Sequence, residues 1–310
     1  MKRLKTTFAF TLLVLLSLQL TAFASEFRAN PYLTKKFTLS GAGNLNVETS
    51  GSSVAVTGAS GNEVVVDMYV KLDGREIELE DAAVEKELEN YNLDISQSGN
   101  TISLLVGRKM NSGRSKLNLS FKIKVPKEMS SKFQSSGGSI AIDGLNGKQD
   151  VETSGGSIQV VNSSGAVRTQ SSGGSFRVEN FKGNVDVQTS GGSIKISQLT
   201  GDVQVGSSGG SVTLEEISGS IDASTSGGSI RAQLSEVEKG LTMKSSGGSI
   251  TAVVPSGLGL NLDLSGGRVN SSLSNFDGEI KKDRILGKIN GGGVPVTMQS
   301  SGGSINLEFN

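Results

Sequence analysis

Three aspartates at a constant spacing are the residues of this sequence whose type and position suggest chemistry. Asp150, Asp186 and Asp222 follow one another at intervals of 36 residues. Carboxylates that converge on one cleft can cleave a glycosidic bond, so the pattern raises the hypothesis of a polysaccharide-cleaving enzyme. Arg168 and Gln204 stand midway between the aspartates. This alternation is better explained by charges spaced to avoid like neighbours on a solvated face, and we expect no enzyme activity.

The composition excludes several classes of site. The chain contains no cysteine and no histidine. Thiol catalysis, disulfides, lipid attachment at an N-terminal cysteine, imidazole bases and the usual zinc sites are therefore excluded, and we expect no cofactor. The formal net charge is +0, so no basic surface for nucleic acid is predicted.

One short sequence motif recurs along most of the chain, so the fold that these repeats form must position any functional residue. Ser-Gly-Gly-Ser followed by a β-branched or aromatic residue occurs six times between Ser136 and Ile230, always 18 residues apart. Related phrases begin at Ser246, Ser265 and Ser301, after steps of 20, 19 and 36 residues. A fixed period of this length is typical of stacked repeats.

Within each repeat, apolar and polar residues alternate as they do in half-buried strands. The position after the corner is occupied by Ile140, Ile158, Phe176, Ile194, Val212 and Ile230. Glycines recur at both corners, where positive φ angles or close backbone approach favour them. We therefore predict an all-β fold, a right-handed parallel β-helix (β-solenoid) of 18-residue rungs; the hand follows from the preference for right-handed crossovers.

A column of hydroxyl residues is predicted at the inner edge of the Ser-Gly-Gly corner. Its members are Thr153, Ser171, Thr189, Ser207 and Thr225. Stacked hydroxyls at this place are expected to bond from rung to rung or to the backbone of the turn.

A column of outward side chains is the candidate binding face. It reads Gln159, Arg177, Lys195, Thr213 and Arg231, beside a second outward column of Val161, Glu179, Ser197 and Glu215. The first column suits an acidic glycan or a lipid head group. The alternative is an ordinary solvated face with pairs such as Arg177–Glu179, each worth little.

Calcium binding at the corners is not expected. Solenoids built from Gly-Gly-x-Gly-x-Asp nonapeptides also have 18-residue coils and bind calcium at their turns. Here the positions that would need glycine and aspartate are occupied by Ile158 and Val160. The corners also lack the carboxylates that calcium requires.

The chain divides into four predicted regions. Residues 1–24 read as a secretory signal peptide, with basic residues first, an apolar run, and Ala22-Phe23-Ala24 before the cleavage point. Residues 25–56 are predicted as an N-terminal cap and first rung, residues 57–130 as an insertion of strands and one helix, and residues 131–310 as the solenoid. After signal removal no transmembrane segment is predicted. We expect Ile305 and Leu307 to close the rod.

The corners, the insertion ending in Lys124-Val125-Pro126 and the segment Gly291-Gly292-Gly293-Val294-Pro295 resemble a known family. Its members are exported bacterial proteins of unknown function that carry the label "putative adhesin" and the same Thr-Ser-Gly-Gly-Ser-Ile phrase. The resemblance covers about residues 37–310 and implies a β-helix in the cell envelope. It supplies no catalytic or ligand residues.

From these observations we predict a non-enzymatic exported protein of the cell envelope, located in the periplasm, on the cell surface or secreted. It would act as an adhesin or a structural binding scaffold, with a glycan, a protein or a lipid head group as partner. An envelope-stress or signalling component that binds a peptide or lipid remains the alternative, and a polysaccharide-cleaving β-helix enzyme is the third hypothesis.

Overall fold

The computed structural model describes residues 30–77, 81–110 and 116–310, and within them the protein is built almost entirely of strands. The predicted signal peptide, residues 1–24, lies outside this part. One helix, α1 (Ala82–Leu88), begins after Asp81, whose carboxylate accepts a hydrogen bond from the backbone N–H of Ala83. The one helix predicted within residues 57–130 is thus present, and it is short because Tyr91 already begins a strand.

The strands are numbered in chain order. The first nine are β1 Leu33–Thr38, β2 Gly43–Thr49, β3 Ser53–Ala59, β4 Glu63–Leu72, β5 Arg75–Glu76, β6 Tyr91–Ser98, β7 Thr101–Arg108, β8 Leu117–Pro126 and β9 Met129–Ser135. The next nine are β10 Ile140–Asp143, β11 Asn146–Thr153, β12 Ile158–Ser171, β13 Phe176–Thr189, β14 Ile194–Thr200, β15 Val203–Ser207, β16 Val212–Thr225, β17 Ile230–Ser245 and β18 Ile250–Val254. The last six are β19 Leu260–Ser265, β20 Arg268–Ser271, β21 Phe276–Ile280, β22 Arg284–Ile289, β23 Val294–Ser300 and β24 Ser304–Phe309.

The central rungs form the parallel β-solenoid that the 18-residue period predicts. Each residue pairs with the residue 18 positions later, as Ile140 with Ile158 and Ile158 with Phe176. The pairing continues from Phe176 to Ile194 and from there to Val212. Two stacks of strands result, which we call stack A, directly after the Ser-Gly-Gly corner, and stack B, leading into the next corner.

The apolar columns fill the interior of the rod. Val160, Val178, Ile196 and Leu214 lie above one another and are fully buried. Each such side chain contributes about 1.5–3 kcal/mol before conformational entropy is subtracted. A single rung would leave its apolar side chains exposed above and below. They become buried only when rungs stack on one another.

Replacement by valine is expected to change the stability of the protein in opposite directions at two buried threonines. The Thr189 hydroxyl donates to the Gly191 carbonyl and accepts from the Gly191 N–H at 3.3 Å. The Thr169 hydroxyl, in a column whose neighbours are Val151 and Val187, has no hydrogen-bond partner among the described residues. Thr189→Val should lower the free energy of unfolding by about 1–2 kcal/mol, because the turn loses its acceptor and donor.

Thr169→Val should instead raise the free energy of unfolding by about 1 kcal/mol, because a buried hydroxyl without a partner is replaced by a methyl group. Urea unfolding of the two variants measures both effects. Equal signs would contradict this assignment of the two hydroxyls.

The N-terminal end is assembled out of chain order. Strands β7 and β8, from the segment predicted as an insertion, pair in parallel with β2 and β3. They form a rung beyond residues 43–59, which are joined on their other side to β9 and β10. Strand β4 then pairs antiparallel with β8, β1 with β4, and β6 with β7. Antiparallel strands therefore cover the edges of this end.

The prediction that Ile305 and Leu307 close the rod is wrong. Strand β23 pairs with β17 on one side and β19 on the other, while β24 lies between β18 and β20. The last segment of the chain is thus inserted between two rungs that precede it in sequence. The physical reason is that β22 pairs antiparallel with β19 and occupies its outer edge, which leaves the inner edge for β23.

Candidate functional sites

The predicted binding column is formed by residues in register on adjacent rungs. Gln159 pairs with Arg177, Arg177 with Lys195, Lys195 with Thr213, and Thr213 with Arg231. We call this row the basic column. The structure therefore brings together the side chains that the sequence analysis singled out, while ligand binding by them stays a prediction.

Two of the three cations in the basic column are paired with carboxylates of the neighbouring outward column. Arg177 Nη2 lies 2.6 Å from Glu179 Oε2, and Lys195 Nζ lies 2.8 Å from Glu215 Oε2. Arg231 has no ion pair within the described part of the chain. Exposed pairs of this kind contribute about 0–1 kcal/mol to stability, but they neutralise the charge that an acidic ligand would meet.

The three aspartates at 36-residue spacing also share one column, and cations lie near two of them. The order along stack B is Asp150, Arg168, Asp186, Gln204 and Asp222. Arg168 Nε is 4.0 Å from Asp186 Oδ2, and Lys148 Nζ is 3.6 Å from Asp150 Oδ2. This geometry agrees with the interpretation of charges spaced on a solvated face.

A groove forms where the period changes. The rung of β17 is longer than its neighbours, and its pairing with β16 shifts register between Leu214 and Ile221. The displaced chain borders a cavity of about 600 Å³, which we call the bulge groove. Its polar lining includes Arg168, Asp186, Asp202, Gln204, Asp222 and Lys239.

Asp202 is the most strongly engaged carboxylate in the bulge groove. Lys239 Nζ donates to its Oδ2 at 2.7 Å, and the Ser220 hydroxyl donates to Oδ1. The hydrogen bond from Lys239, followed by that from Ser220, lowers the pKa of Asp202, and the same contact raises the pKa of Lys239. A carboxyl with a lowered pKa is ionised at neutral pH, so Asp202 is unsuited to act as a general acid.

A second groove follows the Ser-Gly-Gly corners, and the sequence analysis missed it. It has a volume of about 670 Å³. We call it the serine groove. Its lining comprises Glu48, Thr49, Gln134, Ser135, Ser136, Glu152, Thr153, Ser154, Gln170, Ser171, Ser172, Gln188, Thr189, Ser190 and Ser208. The available signal was a Glu or Gln directly before the inner hydroxyls of Thr153, Ser171 and Thr189.

The two hydroxyls at each corner have different roles. Thr153 donates to the carbonyl of Gly155 and accepts from its N–H at 3.2 Å, as Thr189 does with Gly191. This confirms that the predicted hydroxyl column bonds to the turn backbone. The next residues, Ser154 and Ser190, have side-chain hydroxyls without a hydrogen bond within the described residues. The inner hydroxyl builds the corner and the outer one remains available to a ligand.

The Glu and Gln side chains stand in register along the groove. Gln134 Nε2 donates to Glu152 Oε2 at 3.1 Å. The row ends at Gly206, where a Cβ would lie 2.2 Å from Gln188 Oε1, so the Gln188 side chain lies over this glycine. Among the described residues, no group of three His, Cys, Asp or Glu side chains could hold a metal ion.

A protein family and a solved structure match this chain. A family model described as Toastrack DUF4097 matches residues 44–308. The structure is similar to that of a "putative adhesin" from Parabacteroides distasonis ATCC 8503, with 12% identity, 89% of this chain and 96% of that chain covered, and a TM-score of 0.52. At this identity the likeness concerns the fold alone.

Two further solved structures match with lower scores. A "putative adhesin" from Bacteroides fragilis NCTC 9343 has 10% identity, with 90% of this chain and 96% of that chain covered, at a TM-score of 0.39. A "putative cell adhesion protein" from Clostridium sporogenes ATCC 15579 has 10% identity, with 90% and 99% covered, at a TM-score of 0.23. Neither score supports a structural argument. No curated protein matches the sequence.

Proposed function

This chain belongs to the Toastrack DUF4097 family, and from that premise we propose that it is an exported, non-enzymatic binding protein of the bacterial cell envelope, of the adhesin kind. The observation that carries the proposal is the arrangement of the polar surface. Side chains of similar chemistry stand in register on successive rungs, in the basic column and in the serine groove. Such a surface offers the same contact repeatedly along one direction.

A repeated contact on a rigid support favours binding of an extended or repetitive partner. Every central rung is paired with a rung on each side, so little conformational freedom is lost when a ligand binds. Several weak contacts that form together give an affinity that none has alone. This physical logic suits a surface scaffold.

The ionisable side chains support a role without catalysis. The aspartates at 36-residue spacing lie one above another along a column, and Arg168 and Lys148 lie close to two of them. Hydrolysis of a glycosidic bond needs a carboxylic acid that stays protonated near neutral pH. Asp202, whose pKa is lowered, has the opposite property.

Export is the part of the proposal that depends on the sequence of residues 1–24, which reads as a signal peptide. Within the described residues no helix is long and apolar enough to cross a membrane. The adhesin name of the Parabacteroides protein agrees with a place on the cell surface. Fractionation of cells that express the full chain tests this step, and accumulation of the uncleaved protein in the cytoplasm would contradict it.

Binding is tested with the purified protein on a glycan array and on isolated envelopes. We expect reversible retention on at least one of them, with the mass of a soluble ligand unchanged after long incubation. Arg231→Ala removes the cation of the basic column that has no ion pair with any described residue, and it should lower the affinity for any acidic ligand several-fold. Arg168→Ala, in the aspartate column, is the matched control and should leave binding unchanged.

Two outcomes would overturn the proposal. Retention on neither glycans nor envelopes would contradict a binding role. Release of shortened sugar fragments that Asp186→Asn abolishes would establish an enzyme.

A further inference from the structure

We propose that the serine groove binds an uncharged, extended polysaccharide chain that runs along the rod axis with about one sugar unit per rung. This inference rests on the proposed binding function and names a face and a ligand class for it. It concerns a surface separate from the basic column, which lies in stack A, whereas the groove lies where stack B enters the corner.

The length and direction of the groove suit a linear polymer. Its floor runs through successive rungs in register, from Glu48 to Gln134 and Glu152, then to Gln170 and Gln188. Neighbouring rungs of a parallel sheet lie about 4.8 Å apart, so the row from Glu48 to the rung of Gly206 measures about 24 Å. A sugar unit in an extended β-linked chain has a similar length to one rung, so a polymer can keep in step with the protein.

The groups in the groove match the hydroxyls of a sugar. Ser154, Ser172 and Ser190 each present a hydroxyl without an internal hydrogen bond in the described part of the chain, and a hydroxyl both donates and accepts. Gln170 adds an amide, which offers a donor and an acceptor side by side. Since the inner hydroxyls already bond the glycine backbone, the corner is rigid before a ligand arrives.

The charge of the groove selects against acidic polymers. Its lining includes the carboxylates of Glu48 and Glu152 but no lysine or arginine. A uronic acid or phosphate polymer would place like charges close to these groups, which is unfavourable. A neutral chain does not meet this repulsion.

The geometry also disfavours a peptide that would add to the sheet as a strand. Such binding needs an unpaired strand edge, whereas the strands below the groove are paired on both sides, as β11 is with β9 and β12. Recognition must therefore come from side chains, and these are polar throughout the groove.

The floor ends at a defined place. At Gly206 the Glu/Gln row is interrupted, and Gln188 lies across the gap. Affinity should therefore rise with each added sugar unit up to about five and then level off. Gly206→Gln continues the row and should move this limit to longer oligomers.

The experiment uses the purified protein and uncharged β-1,4-linked oligomers of glucose and of N-acetylglucosamine, from two to eight units, in calorimetric titrations. We expect binding whose affinity grows up to about five sugar units and is insensitive to salt. The double variant Gln170→Ala/Ser172→Ala should lower the affinity at least tenfold. Gln233→Ala removes an exposed amide of β17 that lies outside both the serine groove and the basic column; it is the control and should have no effect. Thermal unfolding checks that the variants remain folded.

Four results would overturn this inference: no binding by either neutral series, tighter binding of oligogalacturonate of equal length, tighter binding of an extended peptide, or loss of neutral-oligomer binding in Arg231→Ala but not in the groove variant. Retention of another ligand that depends on Arg231 would leave the proposed binding function intact in each case. Absence of binding to glycans and envelopes alike would remove both.

Discussion

Replacing Gly174 with alanine is expected to destabilise the rod by about 2–5 kcal/mol, because left-handed backbone costs an L-residue about 1–2 kcal/mol and an overpacked interior about 1–3 more. Gly174 has φ +84°, and a Cβ there would lie 1.9 Å from the carbonyl oxygen of Gly156 in the rung below. Backbone atoms of the neighbouring rung cannot move aside without separating the strands. The substitution therefore weakens the strand pairing throughout the stack.

Gly173→Ala is the matched control one residue earlier. Its φ is not in the left-handed region, and the nearest atom to an added Cβ is the Ser154 carbonyl oxygen at 3.8 Å. The change should stay within about 1 kcal/mol, since alanine also restricts the unfolded chain. Urea unfolding, with amide exchange to locate the loss, measures both. Equal effects of the two substitutions would contradict the account of the corner.

Removing residues 294–310 is expected to unfold residues 255–293 as well. In a solenoid that stacks in chain order, loss of the last repeat removes one interface and leaves the rest paired. Here β23 and β24 connect β17 and β18 to β19 and β20. Without them, β19 keeps its pairing with β22, which pairs with β21. This three-stranded remnant no longer has a neighbouring rung that buries its apolar face, which a small sheet needs for stability.

Limited proteolysis and amide exchange measure this loss. We expect cleavage within residues 255–293 of the truncated protein and preserved protection of the central rungs. Deletion of residues 158–175, which removes one complete period of similar length, is the control: Phe176 can then pair with Ile140, and the shortened rod should stay protected. Full protection of Leu260–Ser271 after the truncation would mean that these strands pair directly with β17 and β18.

The centre of the fold and the ends differ in how far they could be predicted. In the centre, Ile158, Phe176 and Ile194 occupy equivalent positions, so the period alone states which residues pair. At the ends the pattern carries no such information. Strands β7 and β8 alternate apolar and polar residues but lack the Ser-Gly-Gly corner, and nothing in their sequence indicates that they pair with β2 and β3.

The candidate sites follow the same division. The basic column was predictable because Arg177 and Lys195 are one period apart. The neutralisation of its charge was less predictable, because the Lys195–Glu215 contact joins two rungs and depends on the direction of the side chains. The serine groove escaped prediction because depth arises between the corner and the strand, and a row of Gln and Ser residues has no distinctive pattern by itself.

Periodicity therefore determined the parallel stack, the identity of the buried columns and the register of the outward rows in the central rungs, because a constant step leaves only one pairing that buries the apolar residues. The tertiary structure decided the order of the rungs at both ends, the insertion of β23 and β24, and the shape of the two grooves. Those features depend on which strand edge is already occupied when a segment pairs. The order of residues along the chain does not show which strand edges are free, so only the folded structure could reveal these pairings.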